Sequence, residues 1–161
     1  DVCSSDLHPQ ATLVIAGPDE GGYRASVSAH FAPLGDSVIW LGGIDADARQ
    51  SLLSMASAFV MCSDGESFGL TVAEAMASAV PVVVTRTCPW DDVERHDTGF
   101  WVEQSPAAVA GAISTVLADP MRAAAMGARG RRLVETEYSW SAAATRLQRV
   151  YEEAATGTRV H

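Results

Sequence analysis

Ala58-Phe59-Val60-Met61-Cys62, followed by Ser63-Asp64-Gly65-Glu66-Ser67-Phe68-Gly69-Leu70-Thr71-Val72-Ala73-Glu74-Ala75-Met76, is the stretch from which the rest of the chain is best read. Five apolar residues in a row fit a short strand buried on both faces. The polar segment after them makes a turn, and a helix opens near Leu70. Gly65 and Gly69 let the backbone bend tightly and pass close to a ligand with no side chain between. The first N–H groups of a helix lack partners within it, so those of Gly69, Leu70 and Thr71 form a cradle for phosphate oxygens. A helix terminus contributes about 0.3–1 kcal/mol per favourable charge, too little to hold a diphosphate unaided. Glu74 lies one turn into the helix, where its carboxylate can reach a group bound at the same mouth. A carboxylate accepts two hydrogen bonds side by side, which suits a vicinal diol such as ribose. Glu66 sits in the loop before the helix, on the approach side.

Working outward, residues 11–16 are a continuous apolar run stopped by Gly17-Pro18, a second buried strand. Tyr23, Val27, His30 and Phe31 share one helical face, with His30 a packing residue. Residues 37–41 predict a strand closed by Gly42-Gly43, and Asp45 caps a helix whose inner face is Ala48, Leu52, Met55 and Ala56. Residues 81–85 and 98–103 predict two more strands. The tail predicts three helices: 106–117, 120–135 with Pro120 at its first position after Asp119, and 141–155. Trp140, Leu147, Val150 and Tyr151 fall at helical spacing and read as core contacts, with part of the stripe expected to stay exposed in this chain. Strands alternating with helices across short turns define an α/β domain with a mostly parallel sheet. In such sheets ligands sit beyond the carboxyl ends of the strands.

Composition narrows the function classes. The 161 residues suit one domain, with 48% hydrophobic and 19% charged residues. A net charge of −9 provides no basic surface for tracking a phosphate backbone, so a nucleic-acid partner is not expected. No apolar run approaches the roughly 18 residues of a membrane span. Cys3, Cys62 and Cys88 are odd in number and share no CxxC spacing, which suggests neither a disulfide framework nor a zinc site. Cys62 reads as a small core residue, and Cys88 lies in a ligand-side loop with no base beside it. Arg129, Arg131 and Arg132 read as a solvated helix face. A cytoplasmic setting follows. Asp1-Val2-Cys3-Ser4-Ser5-Asp6-Leu7 is unlike the rest and resembles a translated sequencing adapter, so residues 1–7 are set aside and residues 8–161 are read as the domain. On that reading the natural chain begins further upstream.

Glu66 and Glu74, with Ser67-Phe68-Gly69-Leu70 between them, resemble the E-x7-E motif of retaining glycosyltransferases of family 4, which have the GT-B fold. The similarity runs from about Pro9 to Tyr151. Leu13-Val14-Ile15-Ala16-Gly17, Val38-Ile39-Trp40-Leu41-Gly42, Glu74-Ala75-Met76-Ala77, Pro81-Val82-Val83-Val84 and Tyr138-Ser139-Trp140 fall in the family's order. The resemblance implies the C-terminal, donor-binding half of a GT-B enzyme: a Rossmann-like, doubly wound parallel sheet with a helical tail and its first strand missing. It places Glu74 on the ribose of a nucleoside-diphosphate sugar and the backbone of Ser67, Phe68, Gly69, Leu70 and Thr71 on the diphosphate. Glu66 becomes the catalytic carboxylate near the reacting sugar carbon. Gly43 and Ile44 lie against the nucleobase, with Gly17 also in the donor site. No cofactor or metal is implied.

Three departures from the family's pattern carry expectations of their own. The loop Arg86-Thr87-Cys88-Pro89-Trp90-Asp91-Asp92 replaces the usual Gly-Gly loop. With Gly99-Phe100-Trp101-Val102 it resembles a subset building bacterial surface polysaccharides, and it borders the donor through Arg86, Pro89 or Trp90, unless Trp90 is a loop anchor packed on the core. Ala79 stands where the family has glycine, which is tolerable if its φ is negative. The family's diphosphate-binding arginine and lysine, on a segment before Leu13, have no counterpart. That segment also carries the first strand, so the strands at Leu13 and Val60 are expected to flank a gap, leaving this chain prone to aggregate. The acceptor, a glycan or lipid-linked sugar, would be bound by a missing N-terminal domain, so the chain alone is expected to be inactive. Peripheral association of the complete protein with the inner face of the membrane is a further implication. Two other readings are a sugar-nucleotide 2-epimerase of GT-B layout and a non-catalytic sugar-nucleotide-binding domain.

Overall fold

Strand β4 (Val82–Thr85) has all four residues buried and runs parallel between β3 (Phe59–Met61) and β5 (Gly99–Val102). Phe59 pairs with Val82, and Val82 in turn with Gly99. A strand covered on both faces must be apolar throughout, which is why Val82-Val83-Val84 shows no alternation. The computed structural model describes residue 8 and residues 10–156, so the adapter-like segment 1–7 lies outside the described residues. A second parallel pair, β1 (Leu13–Ala16) and β2 (Val38–Gly42), sets Leu13 opposite Val38 and, past an irregularity after Ile15, Ala16 opposite Gly42. Among the described residues no ladder joins β1 to β3. The α/β class and parallel pairing are as the sequence predicts, and the break falls between the strands holding Leu13 and Val60.

Among the described residues seven α-helices connect and cover the strands: α1 (Tyr23–Phe31), α2 (Ala46–Met55), α3 (Leu70–Ala77), α4 (Asp92–Arg95), α5 (Pro106–Ala118), α6 (Pro120–Glu137) and α7 (Trp140–Thr156). Their starts are chemically marked. Asp45 accepts from the Ala48 N–H at 2.8 Å, Ser105 from Ala108 at 3.2 Å and Asp119 from Arg122 at 3.0 Å. Pro106 and Pro120 each occupy a first helical position, where the absent N–H costs nothing.

The core follows from the two faces of β4. Val82 and Val84 pack with Val72, Met76, Trp90, Val93 and Leu133, from α3, the β4–α4 loop, α4 and α6. Val83 points the other way, onto Ala112 and Val116 of α5. Helices α3 and α6 approach closely because α6 presents glycine: a Cβ on Gly127 would sit 1.9 Å from the Ala79 carbonyl oxygen.

Several predicted burial patterns are corrected. On α1, Val27 and Phe31 are half-buried, whereas Tyr23 and His30 are exposed. The inner face of α2 is turned toward Leu53, which is buried: Leu52 and Ala56 are half-buried as expected, while Ala48 and Met55 are exposed, because α2 rests on α3. Cys62, at the end of β3, is exposed rather than in the core. Trp140, Leu147, Val150 and Tyr151 are all exposed, Trp140 at 93%. Their stripe on α7 is amphipathic by sequence, but no neighbouring element covers it among the described residues. Ala79 has φ 59°, so the condition under which its methyl is tolerable is not met.

Candidate functional site

The turn from β3 into α3 is held from three directions. Gly69, immediately before α3, takes φ 76° and ψ 62°, a left-handed conformation that favours glycine. The Phe68 carbonyl accepts a hydrogen bond from the Trp90 indole Nε1–H. At the loop's start, Thr87 Oγ1 donates to the Ser63 carbonyl at 2.6 Å, and Gln104 Nε2 donates to Asp64 Oδ1 at 2.8 Å. The loops after β3, β4 and β5 are thus knit together at the carboxyl ends of the strands, where a parallel sheet positions its ligands.

Helix α3 begins without a side-chain cap. This sets it apart: α1, α2, α5, α6 and α7 each have a first-turn N–H held by Asp19, Asp45, Ser105, Asp119 or Ser139. Among the described helices of eight or more residues, α3 alone has its opening amides free of such an acceptor. Ser67, Phe68 and Leu70 are exposed around this start, Thr71 is half-buried and Gly69 is buried.

Glu74 is half-buried one turn into α3. Its Oε1 accepts from Arg49 Nη2 of α2 at 2.8 Å, and its Oε2 is shut off from solvent with no hydrogen-bond partner. An unsatisfied buried acceptor costs about 1–3 kcal/mol, more for a charged group, and such groups call for an explanation. Glu66, also half-buried, accepts from Ser63 Oγ at 2.9 Å, which steadies the carboxylate without neutralising it. Arg49 was not singled out by sequence reasoning. It lies 25 residues from Glu74, and only the turned face of α2 brings them together.

The remaining predicted residues divide. Gly17 and Gly42 join the ends of β1 and β2, the Gly17 N–H donating to the Gly42 carbonyl at 2.8 Å, with Gly43 exposed and Ile44 half-buried just beyond. Of the two readings of Trp90 the loop anchor packed on the core is the one seen: at 1% exposure its indole is no platform for a ligand, and it holds the Phe68–Gly69 turn. Arg86 stacks over Trp101 at 4.5 Å and pairs with Glu103 at 3.2 Å and Glu94 at 3.7 Å. None of these contacts involves Glu66, Glu74 or the α3 start. Pro89 is exposed on the same loop. Two surface depressions, one lined by Arg86, Trp101 and Glu103 and one by His96, Arg129 and Arg132, include neither glutamate.

The candidate site thus combines a parallel α/β sheet, a glycine-turned helix start and two carboxylates with seven residues between them. The chain belongs to the glycosyl transferases group 1 family, whose model matches residues 2–133. It is 30% identical over 152 residues to a GDP-mannose-dependent monoacylated alpha-(1-6)-phosphatidylinositol monomannoside mannosyltransferase from Corynebacterium glutamicum, covering 89% of this chain and 39% of that enzyme. Among solved structures, sucrose-phosphate synthase from Thermosynechococcus elongatus superposes with a TM-score of 0.81 at 31% identity, over 96% of this chain and 41% of that one. Anabaena HepE in complex with UDP shares the fold with a TM-score of 0.75 at 21% identity, over 92% and 42%. The fold is therefore that of GT-B glycosyltransferases, and the chain spans about two fifths of the length of these three relatives.

Proposed function

We propose that this chain forms the donor-binding part of a retaining glycosyltransferase that takes its sugar from a nucleoside diphosphate. The observation that carries the reading is the start of α3, free of any side-chain acceptor, with Glu74 one turn further along and one of its carboxylate oxygens unpartnered, buried and so open to a diol only once the side chain turns. Helix amides left free by the protein's own side chains are available to an anion, and the helix dipole favours one there. The corynebacterial relative is named for GDP-mannose and HepE was solved with UDP, which supports a nucleoside-diphosphate donor here.

In this reading the amides of Gly69, Leu70 and Thr71 receive the diphosphate, and Glu74 takes the ribose hydroxyls. Arg49 must then share or release Oε1 when the diol arrives. Glu66, steadied by Ser63, faces the donor-sugar hydroxyls next to the reacting carbon. As the glycosidic bond to the diphosphate breaks, negative charge grows on the leaving oxygens, and fixed amides at the helix start stabilise it without reorganising. The acceptor, a glycan or lipid-linked sugar of a surface polysaccharide, would be held by a partner domain, and the complete protein would work in the cytoplasm beside the membrane.

Two substitutions in the natural full-length protein test the assignment. Glu74→Gln removes a charge-assisted acceptor and should weaken GDP or UDP binding about 10- to 100-fold by calorimetry. Glu66→Gln should cut kcat about 100-fold or more while nucleotide affinity stays within about threefold. Unchanged nucleotide binding in Glu74→Gln would overturn the ribose role, and equal losses of affinity and rate in Glu66→Gln would reduce Glu66 to a binding residue.

A further inference from the structure

We infer that Trp90, Tyr138 and Asp92 form a positioning device that aims the Gly69 amide, and with it the diphosphate-facing edge of α3; this rests on the donor reading above. Trp90 is the largest of the fully buried side chains. Its indole has one donor, which must find an acceptor when buried. The acceptor is the carbonyl of Phe68, the residue before the left-handed Gly69. In a trans peptide the carbonyl and the following N–H point in opposite directions. Tying the Phe68 oxygen to Trp90 therefore fixes the Gly69 N–H in the opposite direction, on the side of the peptide plane away from the indole, although Gly69 itself is buried. The indole also closes the space a larger residue would need, since a Cβ on Gly69 would lie 3.1 Å from Trp90 Nε1.

The indole is itself gripped. The Tyr138 ring, at the end of α6, lies 5.1 Å from Trp90 and 5.8 Å from Phe68, and Phe68 lies 5.1 Å from Trp90. The Tyr138 hydroxyl donates to Asp92 Oδ2, and Arg95 pairs with the other Asp92 oxygen at 2.6 Å. Asp92 opens α4 two residues after Trp90, so this bond ties the Trp90 loop to the end of α6. Apolar packing alone would be met by phenylalanine at position 90; only an indole also holds the turn. Trp90 touches no ligand, and its influence passes through one peptide plane to the diphosphate.

That geometry predicts a split which a purely structural role would not produce. In the full-length protein, Trp90→Phe should weaken binding of the diphosphate, GDP or UDP, about tenfold while changing affinity for the matching nucleoside, guanosine or uridine, less than twofold. Tyr138→Phe keeps every ring contact and should show the same split at about threefold, and it decides the matter alone if Trp90→Phe does not fold. Glu74→Gln, acting at the ribose, should weaken nucleoside and diphosphate together. Equal losses for nucleoside and diphosphate in the two aromatic variants, or no loss in either, would overturn the positioning role. A wild-type protein that binds neither GDP nor UDP would instead bring down the donor reading, and this inference with it.

Discussion

Ala79 closes α3 in a conformation that its side chain resists. The Ala79 N–H bonds to the Met76 carbonyl at 2.9 Å and the Val80 N–H to Ala75 at 3.0 Å, the paired bonds of a Schellman ending with Ala79 at the left-handed position. An L-residue there costs about 1–2 kcal/mol, and glycine avoids that while giving back about 0.4–1 kcal/mol of unfolded-chain entropy. Ala79→Gly should therefore stabilise the chain by about 0.5–1 kcal/mol, read as a higher denaturant midpoint at unchanged m-value. A lower midpoint would mean that the methyl contributes packing that outweighs the strain. The reverse applies opposite it, because a Cβ on Gly127 would meet the Ala79 carbonyl oxygen. Gly127→Ala should cost about 1–3 kcal/mol through forced separation of α3 and α6.

At the scale of elements, what the sequence disclosed was local. The β3–turn–α3 unit was legible because an apolar run, two glycines and a helix start are neighbours in the chain. Proline and aspartate marked α6 for the same reason. Arg49 and Trp90 were less so, since a 25-residue ion pair and the inward turn of a loop tryptophan depend on how elements dock. The α7 stripe misled because helical spacing shows that a face is apolar, not that anything covers it. Docking of α6 on α4 has its own signature in Tyr138. Burial first, and then the hydrogen bond to Asp92, push the Tyr138 phenol well above its ordinary range. The folded state keeps this proton where the unfolded chain loses it, so the stabilisation is complete below about pH 10 and lost as pH rises beyond it. The slope is at most about 1.4 kcal/mol per pH unit. Denaturant unfolding between pH 8 and 11 should show that alkaline loss in the wild type and a shallower one in Tyr138→Phe. The Cys62 thiol, partly covered though the residue is exposed, is also raised, by desolvation first and then by Cys88, so some alkaline slope is expected in both. Superimposable pH profiles would mean that Tyr138 does not titrate differently in the two states.

Across the whole molecule, burial is uneven in a way that follows the break in the sheet. Between residues 10 and 57 only Leu53 is buried, whereas both core clusters are otherwise built from residues 72–133. Leu13, Ile39 and Leu41 of the β1–β2 pair remain exposed. Two parallel strands with little apolar cover gain too little to offset the entropy of ordering them, since isolated strand pairs are marginal in water. The Arg49–Glu74 ion pair is one tie across to α3, and a partly exposed pair contributes about 1 kcal/mol or less. Opening of β1, α1 and β2 should therefore need only a small fraction of the global unfolding free energy, while β4 and α6 open only with the whole core. Hydrogen exchange on this chain should show amides of residues 13–16 and 38–42 exchanging at least about 100-fold faster than those of residues 82–85 and the middle of α6. Equal protection in the two regions would show that the β1–β2 pair is held by the same cooperative unit as the core.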